Sequence, residues 1–120
     1  MNWFSTLRNL PPSCRAVSHQ PLTPRYSRAN QKLDYLISNG VYLGCRADPE
    51  RRNVVLIAVW APPSTGRRGG YYACFRIRLE EEKASWAILY CFYDGTDGSP
   101  SFKTEESAAL FARTNGFEEP

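Results

Sequence analysis

No acidic residue occurs in the first 33 positions, although Arg8, Arg15, Arg25, Arg28 and Lys32 lie there. The whole chain has 15 cations and 12 acids, so the stretch from Asp34 onward holds the other ten cations and all twelve acids. A basic leading segment on a nearly neutral remainder suits electrostatic, targeting or self-docking roles. Long apolar runs are also missing. The longest, Val54 to Ala61, has strand length, whereas a membrane-spanning helix needs roughly 20 apolar residues, so a soluble protein is expected. Histidine is limited to His19, and Cys14, Cys45, Cys74 and Cys91 lie 31, 29 and 17 residues apart with no closely spaced pair. A structural zinc site wants paired ligands, so no metal is expected. Cys45, Cys74 and Cys91 fall in strand-like runs, where a free thiol packs as a small hydrophobe. Reduced cysteines and a cytoplasmic location follow as the expectation.

At 120 residues with 42% apolar composition there is material for one core. Residues 1–29 read as a basic arm rich in proline, serine and arginine, and residues 30–120 as a single α+β domain. Trp3, Leu7 and Leu10 have helical spacing, but Pro11 and Pro12 end any helix there. An acid-free, Arg- and Ser-rich start has the composition of an organelle transit peptide. An uncleaved arm lying along the domain is the preferred reading.

Leu33, Leu36 and Ile37 define one face of a short helix, which Asn39-Gly40 is expected to end in a left-handed cap. Strands follow at Val41 to Arg46 and Asn53 to Ala61, separated by the turn Asp48-Pro49-Glu50. The second is apolar on both faces and belongs in the middle of a sheet. Residues 62–70, with Arg67 and Arg68 near the tip, read as a flexible connection.

The clearest period is the next one. Tyr71, Ala73, Phe75, Ile77 and Leu79 alternate with Tyr72, Cys74, Arg76, Arg78 and Glu80, which predicts a strand with one core face. A turn at Glu81-Glu82 would set Phe75 opposite Ile88, Ile77 opposite Trp86 and Ala73 opposite Tyr90, although paired glutamates suit a wider turn better. The same pairing would place Cys91, Leu89 and Ala87 beside Tyr72, Cys74 and Arg76 on the outer face. That half-apolar face needs a cover: the arm through Trp3, Phe4, Leu7 and Leu10, a partner protein, or a second copy. After a loop at residues 94–100, Thr104 caps a last helix with Glu105 and Glu106 in its first turn. Ala108, Phe111 and Ala112 form its buried stripe, Asn115-Gly116 its stop, and Phe117 folds back. The expected fold is a four-stranded antiparallel meander flanked by two short helices, α-β-β-β-β-α.

Residues 102–117 resemble the capped helix near the end of the 18 kDa accessory subunit of respiratory complex I, a similarity confined to that helix. The element order resembles the double-stranded RNA-binding domain, but Glu105 and Glu106 stand where that family has a basic cluster. Neither resemblance assigns a family.

Nucleophilic catalysis would need a set such as Cys91, His19 and Asp94, which no motif supports, and Gly66 to Gly70 has neither P-loop nor dinucleotide spacing. No enzyme activity and no cofactor are expected. The expected function is a non-catalytic macromolecule-binding module whose anchors are Arg67, Arg68, Tyr72, Arg76 and Arg78. Guanidinium groups pair with carboxylates or phosphates, and an exposed tyrosine can stack. A protein partner leads, with nucleic acid as the alternative. Such a chain suits a stoichiometric inhibitor or adaptor, such as the anti-defence proteins of phages and other mobile elements.

Overall fold

A computed structural model describes residues 23–25, 31–51, 54–63, 70–80, 85–93 and 98–119. In chain order the elements are β1 (Thr23–Arg25), α1 (Gln31–Asn39), β2 (Val41–Ala47), β3 (Val54–Ala61), β4 (Gly70–Glu80), β5 (Ser85–Phe92), β6 (Ser101–Phe102) and α2 (Glu105–Thr114). Strands β2 to β5 form the expected antiparallel meander between two helices. Two short strands extend it: β1 pairs in parallel with the start of β5, and β6 pairs with the start of β4.

The all-apolar sequence of β3 is explained by its position, because every residue from Val54 to Ala61 is buried. Successive side chains on a strand point to opposite faces, so β3 feeds two cores. Val55, Ile57, Val59 and Ala61 meet Ala73, Phe75 and Ile77 under Leu36 and Ile37 of α1. Leu56, Ala58 and Trp60 meet Tyr72 and Cys74 under Ala108, Ala112 and Phe117 at the other helix. The molecule is thus layered as α1, sheet, α2. Burying a side chain such as Phe75 or Ile57 contributes on the order of 1.5–3 kcal/mol, so these two layers supply most of the drive to fold.

This layering corrects the expectation that β4 has one core face. The face carrying Tyr72 and Cys74 is covered by α2, whose small Ala108 and Ala112 let the helix approach the sheet. The arm residues Trp3, Phe4, Leu7 and Leu10 lie outside the described residues.

The β4–β5 register also differs from expectation. Ile77 pairs with Ile88 and Leu79 with Trp86, two residues away from the anticipated partners, and Glu80 pairs with Ser85. The connection is therefore wider than a Glu81-Glu82 turn. A two-residue shift leaves every side chain on its original face, which is why alternation could not detect it. A bulge between Arg76 and Ile77 then sets Arg76 opposite Tyr90 and Phe75 opposite Cys91. Cys91 consequently packs against the α1-side core, not beside Tyr72 as anticipated.

At the end of α1, Gly40 is required by space and not by a left-handed backbone. A Cβ there would lie 2.3 Å from the Leu36 carbonyl oxygen and 2.3 Å from Val59 Cγ1. The end of α2 does use the left-handed stop. Gly116 has φ +88°, its N–H donates to the Arg113 carbonyl at 3.0 Å, and the Phe117 N–H donates to Ala112 at 3.0 Å. Those two bonds satisfy carbonyls that the helix leaves open. Phe117 is buried, and Glu118 then exchanges two 2.9 Å backbone hydrogen bonds with Cys45 on the outer edge of β2.

Candidate functional site

Of the four arginines anticipated as anchors, two fall among the described residues. Arg67 and Arg68 lie outside the described residues. Arg78 is exposed on β4, and Arg76, two residues earlier on the same face, is half-buried. Across the sheet, Arg46 pairs with Leu56 and Leu56 with Arg76, while Val54 pairs with Arg78. Three arginines therefore occupy one end of the α2 face, flanking the buried Val54 and Leu56.

Arg46 has a structural task. Its Nη1 donates to the Asn115 carbonyl at 2.9 Å, and its guanidinium carbon sits 6.0 Å from the centre of the Phe117 ring. A cation at the C-terminal end of α2 meets the negative end of the helix dipole and caps an open carbonyl. This residue was not among the anticipated anchors, and its contact explains why it is better understood as a tie between β2 and α2.

Arg76 is placed by Asp48. The Asp48 side chain is only 2% exposed, and its Oδ2 lies 3.3 Å from Arg76 Nε, whose side chain is 20% exposed. The contact is an ion pair in which neither of those two atoms completes a hydrogen bond. The other oxygen, Oδ1, accepts the Glu50 N–H at 2.9 Å, and the Asp48 N–H donates to Val54 at 3.0 Å. The β2–β3 turn thereby holds the carboxylate. Asp48 is recognisable in the sequence as a turn residue, but its ion pair is not, because nothing in local spacing shows that the turn brings it to Arg76 on β4.

Tyr72 requires a correction. It is 2% exposed, not an open stacking surface, because α2 and β6 close over it. Its ring centre lies 5.0 Å from Phe111, 6.1 Å from Tyr93 and 6.4 Å from Phe102, with the Phe111 contact edge-on at 82°. Trp60 Nε1 donates to the Phe102 carbonyl at 3.1 Å and fixes β6 beside this cluster. Burial, followed by neighbouring Cys74 and Tyr93, pushes the Tyr72 phenol well above its ordinary range.

Of the proposed catalytic groups, only Cys91 falls among the described residues. Cys74 is buried and its thiol is pushed far up, first by burial and then by Cys91, so it is held as the poorly nucleophilic thiol. Cys91 is half-buried, and His19 and Asp94 lie outside the described residues. Among the described residues no three metal-ligating side chains cluster, and no helix is long and apolar enough to cross a membrane. Comparison with protein-family models, curated proteins and solved structures finds no match to this chain.

Proposed function

We propose that the protein is a small non-catalytic binding module, acting as a stoichiometric inhibitor or adaptor, that engages a protein partner through Arg76 and Arg78. The observation that carries this reading is the pair of arginines on one face of β4, one exposed and the other held by a buried carboxylate 3.3 Å away. Interfaces favour arginine because its planar fork grips carboxylates and carbonyls with little loss of freedom once positioned. Tyr72 contributes from beneath, by fixing β4 against α2, and being buried makes no direct contact with the partner. Among the described residues, Cys45, Cys74 and Cys91 form no disulfide, which supports a reducing, cytoplasmic setting.

The test is co-purification of partners with the tagged full-length chain, followed by mass spectrometry and repetition with Arg76→Ala plus Arg78→Ala. A specific partner captured by the parent chain should be lost from the double variant, while circular dichroism shows the fold retained. Capture of the same partner in the same amount by a folded double variant rejects the assignment.

A further inference from the structure

Asp48 is the only charged residue that is buried among the described residues. Removing a carboxylate from water costs several kcal/mol unless the charge is compensated, so its position next to Arg76 calls for a physical account. One oxygen is tied to the Glu50 N–H and the other faces Arg76 Nε, which fixes the inner edge of that guanidinium to the β2–β3 hairpin. The Arg76 side chain keeps 20% exposure, and the exposed Arg78 lies two residues along on the same face. Side chains two residues apart on a strand are separated by roughly 7 Å. An extended acidic segment with carboxylates on alternate residues has the same repeat.

We infer that Asp48, Arg76 and Arg78 form a carboxylate-recognition site for an extended acidic segment of the partner protein, with Asp48 the positioning residue that presets Arg76. The inference rests on the binding role proposed above and adds the chemistry of the ligand. It does not require either guanidinium to be idle in the free protein, because Asp48 faces only Nε of Arg76 and a contact made by the exposed Arg78 is worth about 0–1 kcal/mol. Among the described residues, the charge distribution favours a peptide over nucleic acid. Polyphosphate binding draws on many contiguous cations. Here Arg46 is tied to Asn115, Arg113 lies 3.2 Å from Glu119, and Glu105 and Glu106 are exposed at the start of α2.

The experiment titrates the full-length chain with a short peptide of alternating glutamate and threonine, following the arginine Nε–Hε signals by NMR. A single-stranded oligonucleotide of matched charge forms the second arm. Saturable shifts of Arg76 and Arg78 with the acidic peptide are expected. Arg78→Ala should weaken binding about 10- to 100-fold, the range for one lost charged hydrogen bond. Asp48→Asn, which keeps the turn acceptor, should weaken it about tenfold and move the Arg76 signal in the free protein; Arg78→Ala should leave that signal in place. No saturable response to the peptide overturns the site, as does tighter binding of the oligonucleotide or an Asp48→Asn affinity equal to the parent's. If Asp48→Asn does not fold, unchanged peptide affinity in the surface variant Arg78→Ala overturns it alone. A captured partner lost with the arginines but no response to the peptide rejects this ligand chemistry and leaves the binding role standing. Retention of the partner by the folded double variant rejects both.

Discussion

Replacing Tyr72 with alanine distinguishes a packed residue from a contact residue, and the expected cost follows from its surroundings. The ring is 2% exposed and touches three aromatic neighbours, the nearest 5.0 Å away. Truncating a large aromatic in such a site costs about 3–5 kcal/mol, combining lost transfer energy with the cavity left behind. For a domain of this size each kcal/mol lowers the melting temperature by roughly 4–8 °C, so a drop of at least about 12 °C is expected. Thermal unfolding followed by circular dichroism measures it. Tyr72→Phe, which keeps the ring, should lose no more than about 1.5 kcal/mol, the net worth of a typical hydrogen bond. A double-mutant cycle sharpens the claim. Tyr72→Leu combined with Phe111→Ala should reveal about 0.5–1.5 kcal/mol of coupling, the value for an edge-to-face aromatic pair. If Tyr72→Ala melts within about 3 °C of the parent, the placement of Tyr72 beneath α2 is refuted.

Three further outcomes follow from the same packing. Arg46→Ala should destabilise the fold by about 1–2 kcal/mol through loss of the helix-end charge and the aromatic contact, and Arg46→Lys should recover only part of it; equal urea midpoints for all three proteins would refute the tie between β2 and α2. Gly40→Ala should cost about 1–3 kcal/mol or more by overpacking, read as a lowered urea midpoint, since the added methyl meets a backbone oxygen that cannot rotate away. Above about pH 8.5 an unfolded thiol releases its proton while the buried Cys74 thiol keeps it, so unfolding becomes easier as pH rises. Cys74→Ala should flatten the fall in urea midpoint between pH 8 and pH 10, and an unchanged slope would count against the burial of that thiol.

The element order was legible because each signal was local. The period of β4, the apolar run of β3 and the Thr104 and Asn115-Gly116 caps each depend on neighbouring residues and match the fold. What local signals could not carry was the long-range arrangement. The face of Tyr72 and Cys74 calls for a cover, but Ala108 and Ala112 reveal a packing stripe without revealing that this is the surface it covers. The β4–β5 shift leaves no mark on the alternation because it moves in steps of two, and the bulge that turns Cys91 inward has no spacing signature. For the candidate site, Arg76 and Arg78 were identifiable from alternation alone. Asp48 was not, since its burial is created by tertiary closure of the turn over β4.

The bonds between Cys45 and Glu118 have a bearing on how the molecule is made. Arg46 and Asn115 are 69 residues apart, and the adjoining backbone bonds span a similar stretch. During synthesis the outer rim of β2 stays available for mispairing until α2 has emerged and Glu118 has reached back to Cys45. Adding bulk directly after Glu118 should therefore affect yield and aggregation in cells more than it affects the purified protein, because the segment that shields this rim is made well after the strand it protects.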